Sequence, residues 1–384
     1  MTYKALVLGG GRVGAIIAAD LAWDGDFEVT LADIRGDALR PTLPAALRVV
    51  AADLSSPKTI RKLATDHEIV LGALPSAMGL MAMEAVIEAG RNYCDISFME
   101  EDPRHLGERA KEAGLTVIYD CGVAPGMSNL LAGYGSAQLL RAKRVVIYVG
   151  GLPRERRWPY EYKAGFAPLD VIEEYTRPAR FVLDGKEVER EALSEPELID
   201  FPGVGTLEVF NTDGLRSLLD TLDAPDRIEK TMRYPGHIEL MRVLRHAGLF
   251  SKEALEVRSV SGEKVKVRPL DVLAELLFPQ WTFAPGEEDL TVMRVMVEGI
   301  GADEKSHHFQ WDLLDRYDTE RGHTSMARTT GFPAAIIARM IARGELTRPG
   351  VHPPEALATQ PNLVDHLLSE LKARGVVFKA STDK

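Results

Sequence analysis

Cysteine is nearly absent. Cys94 and Cys121 are the only two in 384 residues, each follows an apolar run, and they form no C-x-x-C pair. A disulfide framework and a cysteine zinc site are therefore not expected, and both thiols are expected to be buried and reduced. No apolar run approaches the ~18 residues of a membrane span, and "MTYKALVLGG" lacks a basic stretch ahead of an apolar core, so a cytoplasmic location is expected. Positive charge is also short: 46 Lys and Arg against 57 Asp and Glu leave a net charge of -11, with no basic stripe interleaved with aromatics. Nucleic acid and membrane are thereby not expected as partners. The sequence has no H-x-x-x-H, calcium-type acidic loop or G-x-S-x-G, and adjacent His307 and His308 on a strand point to opposite faces. No metal site is expected.

What is present is a composition, 45% hydrophobic and 27% charged, that can bury two cores. Residues 1–124 alternate apolar runs ("YKALVL", "FEVTLAD", "LRVVAAD", "EIVLGAL", "NYCDIS", "TVIYDCG") with helical segments. This α/β pattern predicts a Rossmann doubly wound parallel sheet, covered on both faces. Farther on, longer runs and the turn signal Asp184-Gly185 predict an α+β domain over 125–325 with a mostly antiparallel sheet. Residues 326–384 read as a helical segment returning to the first domain, since the small and apolar residues of "AAIIARMIA" suit docking.

"ALVLGGGRVGAIIAADLAW" places Gly9, Gly11 and Gly14 in G-x-G-x-x-G spacing between a strand and a helix, with Arg12 and Val13 inside the motif. The spacing suits a dinucleotide pyrophosphate at a helix N-terminus. Asp33 closes the second strand about twenty residues on, as a ribose-binding carboxylate would; it favours NAD over NADP, although the neighbouring Arg35 offsets its charge. Ile34, Asp53 and Leu54 are expected around the adenosine half. Ala73, Leu74, Pro75, Ser97, Phe98, Gly122 and Val123, at later strand ends, are expected around the nicotinamide half. Asp95 is a candidate catalytic carboxylate or a strand-end group that fixes a loop.

The second domain must bring a substrate to the nicotinamide. Arg216 sits in the first turn of a helix read as beginning near Asp213, where a cation opposes the dipole, and is a candidate for a substrate carboxylate. Arg177 closes a helix before Pro178, and Arg233 precedes the Pro235-Gly236 break. His237 follows that break at a helix start, where the dipole lowers its pKa and suits it to accept a proton. Tyr162 lies in an aromatic loop that suits a pocket wall.

Taken together, "LGGGRVG", "LGALP", "CDISF", "CGVAPGMSNLLAG", "YVGGLP", "EEYTRPAR", "DGLRSLL" and "MRYPGHIE" resemble the saccharopine dehydrogenase family, most closely its lysine 6-dehydrogenase members. The resemblance implies a Rossmann domain, a central domain for substrate and dimerisation, a homodimer, and NAD-dependent oxidative deamination of a small-molecule amine or amino acid. Ala124-Pro125-Gly126 and Ser128-Asn129 stand where glutamate-forming saccharopine reductases carry Asp-Pro-Gly and Asp-His. The departure favours L-lysine, with His237 as base and Arg216 on the α-carboxylate. Saccharopine or a carboxylated polyamine is the alternative substrate, and a non-catalytic dinucleotide sensor is the alternative of another class.

Overall fold

Each of the six apolar runs in the first third forms a strand: β1 (Tyr3–Leu8), β2 (Phe27–Asp33), β3 (Arg48–Ala51), β4 (Ile69–Gly72), β5 (Asn92–Asp95) and β6 (Thr116–Ile118). The computed structural model describes residues 2–360 and 362–383. β7 (Arg141–Pro153), β8 (Ala179–Leu183), β9 (Lys186–Arg190), β10 (Glu197–Phe201), β11 (Gly205–Asn211) and β12 (Asp226–Arg233) follow. The remaining strands are β13 (Leu255–Arg258), β14 (Lys264–Val267), β15 (Asp289–Ile300), β16 (Ser306–Arg316), β17 (Gly350–His352) and β18 (Phe378–Asp383).

The first sheet is parallel, in the order β17-β6-β5-β4-β1-β2-β3. β4 is buried at all four positions, as a strand covered on both faces requires. The order in which strands are added reverses at β1, which pairs in parallel with β2 on one side and β4 on the other. A crevice opens at the carboxyl ends of strands at such a switch point.

The second sheet runs β10-β11-β12-β7-β15-β16-β18, with the β8–β9 hairpin attached to β12. Its pairs are antiparallel except β7 with β12. Asp184 and Gly185 both have positive φ, +50° and +75°, as a type I′ turn demands. β13 and β14 form a separate two-stranded sheet rather than joining the large one, because their residues are almost all exposed and offer no apolar face to bury.

The C-terminal segment binds both domains. Helix Ser325–Ala342 is buried at all but two of its 18 residues and packs on helix Arg12–Ala22, where Gly331 faces Ile16 and Ile17. β17 extends the parallel sheet beside β6. β18, in contrast to the expected return of the whole segment to the first domain, pairs with β16 of the second sheet. One apolar core accordingly runs without a break through Val7 and Leu31, Ile336, and Val145 and Met293.

Candidate functional site

β1 leads into Gly9, whose φ is +100° and whose Cβ, if present, would stand 2.3 Å from the Ala73 carbonyl oxygen. A Cβ on Gly14 would come within 2.0 Å of the Gly9 carbonyl oxygen. Packing alone demands these two glycines. Gly11 is different, for among the described residues no atom beyond its chain neighbours lies within 4 Å of where its Cβ would be. That space adjoins the N-terminus of helix Arg12–Ala22, whose first N–H groups lack intrahelical partners, so it fits a pyrophosphate. Asp33 shapes the loop: its carboxylate accepts the Gly10 and Arg35 backbone N–H groups, each at 2.7 Å.

A cavity of about 660 Å³ extends from this loop to the second domain. Gly9, Gly11, Arg12, Val13, Gly14, Asp33 and Arg35 line one end. Ala73, Leu74, Pro75, Ser97, Phe98, Gly122, Val123, Ala124 and Pro125 line its floor. Gly126, at φ +140°, lets the chain turn off this floor, since a Cβ there would meet the Gly122 carbonyl oxygen at 1.9 Å.

The opposite wall comes from helix Pro168–Thr176, with Asp170 and Glu174, then Arg177; from Thr212, Asp213 and Gly214 after β11; and from Glu229 and Arg233 on β12. Alternate residues of a strand share a face, so Glu229, Thr231 and Arg233 lie on one side of β12, and all three are buried. Arg233 donates through Nε to the Tyr175 hydroxyl at 2.9 Å and through Nη2 to Glu174 at 3.1 Å. Burial pushes the Glu229 carboxyl up to about 8. Arg177 lies over the Phe98 ring at 5.5 Å and pairs with no carboxylate among the described residues. Glu174, Thr212 and Glu229 were not among the expected site residues. Only Glu229 carried a signal, the strand "RIEKTMR", whose alternate polar residues occupy a buried face.

Several expected site residues lie elsewhere. Arg216 is not on the cavity wall: it is buried between the domains, donating to Asp120 from Nε at 3.1 Å and Nη2 at 3.3 Å, and to the Met99 carbonyl. Its helix spans only Leu218–Thr221, because the Asp213 carboxylate expected to cap it binds Arg180 instead, at 2.9 and 3.0 Å. His237 does begin a helix but is also off the wall. Its Nδ1 faces the Tyr160 carbonyl at 2.9 Å, so that nitrogen carries the hydrogen and Nε2 accepts from the Tyr175 hydroxyl at 3.0 Å. Burial, then Arg233, holds its pKa down at about 3; the imidazole orients Tyr175 and through it Arg233. Tyr162 packs against His237 and Trp281 beneath the Arg233 guanidinium, off the wall.

Asp95 is fully buried below the floor, accepting from Tyr93 at 3.1 Å and from Ser97, and burial raises its pKa to about 7. It fixes the loop carrying Ser97 and Phe98. At the adenosine end, Leu54 belongs to the apolar core, Ile34 is exposed and Asp53 binds Ser55, so none of the three lines the cavity. Ser128 and Asn129 are buried against each other, which leaves Ala124 as the departure from the reductase pattern that reaches the cavity.

A glycine loop at the switch point of a doubly wound sheet, facing a charged second-domain wall across one cavity, defines a two-domain protein with an NAD(P)-binding domain. Residues 5–118 match the saccharopine dehydrogenase NADP binding domain and residues 122–376 the saccharopine dehydrogenase C-terminal domain. The chain belongs to the saccharopine dehydrogenase family. It is 24% identical to the Saccharomyces cerevisiae saccharopine dehydrogenase [NADP(+), L-glutamate-forming], over 100% of both chains, and 28% identical to the Vibrio cholerae carboxynorspermidine synthase, over 83% of this chain and 79% of that one. It is 24% identical to the Mus musculus mitochondrial alpha-aminoadipic semialdehyde synthase, over 99% of this chain, and spans about half (48%) of that protein's length. Apo saccharopine dehydrogenase (L-Glu forming) from S. cerevisiae shares the fold, with a TM-score of 0.83 at 21% identity over 100% of both chains.

Proposed function

We propose that the protein is an NAD-dependent oxidoreductase that removes the terminal amine of L-lysine, giving the 6-semialdehyde, which cyclises to piperideine-6-carboxylate, and ammonia. The charge of the second-domain wall carries this reading. Asp170, Glu174, Asp213 and Glu229 face the cavity beside Arg177 and Arg233; Glu174 is paired with Arg233 and Asp213 with Arg180, which leaves the Asp170 and Glu229 carboxyls with Arg177. Arg177, which pairs with no carboxylate among the described residues, suits a single substrate carboxylate, and the surplus of acids suits amines. Saccharopine brings further carboxylates for which this wall has no partner.

A bound nicotinamide dinucleotide supplies the hydride acceptor. Gly9, Gly11 and the start of helix Arg12–Ala22 hold its pyrophosphate, and Asp33 faces its ribose. The preference for NAD rests on that carboxylate, with exposed Arg35 lying 3.5 Å from it. A second reading, a carboxylated-polyamine dehydrogenase, is favoured by the same surplus of acids and by the similarity to carboxynorspermidine synthase. We further propose a homodimer: Leu255, Val257 and Val265 expose apolar surface on the β13–β14 hairpin, and light scattering in solution tests the pairing.

The deciding assay follows reduced-cofactor absorbance with NAD plus L-lysine, with NADP plus saccharopine, and with NAD plus carboxynorspermidine. Turnover confined to saccharopine and NADP overturns the lysine reading. Arg177→Ala is expected to lower kcat/KM about 10- to 100-fold, mainly through KM, from one lost charge-assisted contact.

A further inference from the structure

We propose that Glu229, Thr212, Thr231 and Glu174 form a proton wire holding one transferable proton, and that Glu229 is the end that takes a proton from the substrate's ammonium. The wire rests on geometry; its catalytic use rests on the amine substrate proposed above. Antiparallel pairing of β11 with β12 brings Thr212 beside Thr231, and helix Pro168–Thr176 sets Glu174 against them. Thr212 Oγ1 lies 2.8 Å from Glu229 Oε2 and 2.9 Å from Thr231 Oγ1, and Thr231 Oγ1 lies 2.7 Å from Glu174 Oε1. Glu229, Thr212 and Thr231 are 4%, 2% and 1% exposed, so water does not substitute along the chain.

The count of hydrogens gives the result. Three oxygen–oxygen contacts each need a hydrogen, and two threonine hydroxyls supply only two. The third belongs to a carboxyl, so the two glutamates together carry one proton. Glu174 accepts from the Arg233 guanidinium at 3.1 Å, and Arg177 also faces the cavity. Glu229 faces Asp213, itself bound to Arg180, and the Gly214 backbone, where a Cβ would stand 2.3 Å from its carboxyl carbon. No cation pairs with Glu229 among the described residues, so the proton rests there, in keeping with its upward shift.

For the amine to react, each hydrogen moves one contact along the wire. Glu229 loses its proton to Thr212, Thr212 passes its own to Thr231, and Thr231 passes its own to Glu174. The ammonium N–H bond then breaks, its electron pair stays on nitrogen, and a new O–H bond forms on Glu229. Glu174, whose side chain is 21% exposed, releases its proton to solvent, and the wire again holds one.

Infrared spectroscopy of the ligand-free protein tests the shared proton without any substrate. Because buried Asp95 also titrates near 7, the spectra are taken in an Asp95→Asn background, where Glu229→Gln is expected to remove a protonated carboxyl component that titrates away near 8. Identical carboxyl bands with and without Glu229→Gln overturn the wire. The kinetic arm uses NAD with L-lysine, or NADP with saccharopine if lysine is not turned over. Thr212→Val is expected to lower kcat about 100-fold and move the pH profile, with NAD affinity unchanged and Thr212→Ser restoring both. A Thr212→Val enzyme with the wild-type kcat and pH profile overturns the catalytic use.

Discussion

Arg216 and Arg177 rest against the same ring, Phe98, at 4.9 and 5.5 Å, yet their surroundings assign them different work. Arg216 has Asp120, a side chain with 0% exposure, as its partner, and Arg177 has none among the described residues. Removing one member of a buried pair strands the other charge, so Arg216→Ala is expected to cost about 3–5 kcal/mol in urea unfolding while KM of the folded enzyme stays near the wild-type value. The Arg216→Ala/Asp120→Ala pair should lose less than the sum of its singles. A rise in KM without loss of stability would return Arg216 to the substrate site. Asp95 makes a test by pH. Its folded pKa of about 7 lies above the ordinary carboxyl value, so the stability it contributes is complete below about pH 4 and is lost as pH rises through 7. Asp95→Asn keeps an acceptor for Tyr93 without that titration. Its stability relative to wild type is expected to improve between pH 5 and pH 8.5, and an equal difference at both values would deny the shift.

At the scale of elements, local pattern was sufficient for the sheet and insufficient for the wall. β1 to β6, the glycine turn and the Asp184-Gly185 hairpin depend on neighbours in sequence, and each formed where its pattern placed it. The wall depends on Glu174 meeting Thr231, 57 residues away, and Arg216 on Asp120, 96 residues away, which no spacing rule encodes. Asp213 shows the failure plainly: a good local cap was taken by a distant arginine. Helix Arg12–Ala22 does start where the glycine motif placed it, and no side chain among the described residues caps it. Two substitutions on that helix's surroundings should separate ligand space from packing. Gly11→Ala enters open space and is expected to weaken NAD binding with little change in Tm. Gly331→Leu must intrude on Ile16, Ile17 and Val13, which lie 3.2–3.4 Å from a modest Cβ, and is expected to cost about 1–3 kcal/mol. Cofactor fluorescence titration beside thermal melts distinguishes them, and equal losses of Tm would refute the distinction.

At the scale of the whole molecule, the two sheets do not stand on separate foundations. The apolar core is continuous between them, and β17 and β18, separated by a 3-10 turn and one α-helix, extend different sheets. Polar ties cross the same boundary: Asp20 of the first helix accepts from Arg374 at 2.6 Å and lies 3.5 Å from Arg339, and Asp120 holds Arg216. A cavity shared by two domains keeps its geometry only while both walls are fixed, so these ties also position Arg177 and Glu229 relative to the floor at Ser97 and Gly122. The expected consequence is one cooperative thermal transition, with calorimetric and van't Hoff enthalpies equal. NAD at about 100 times its Kd should add about 2.7 kcal/mol to the stability of the entire chain, although its expected contacts lie mostly in the first domain. Independent domains would behave otherwise, giving two transitions of which NAD raises one. Asp20→Ala provides the sharper comparison, because it removes the carboxylate that Arg374 and Arg339 share at the boundary, leaving them only Glu370 and Asp24, without touching either sheet. If the boundary couples the domains, that variant lowers a single transition that NAD still raises as a whole; if it does not, calorimetry resolves two peaks in the wild type already.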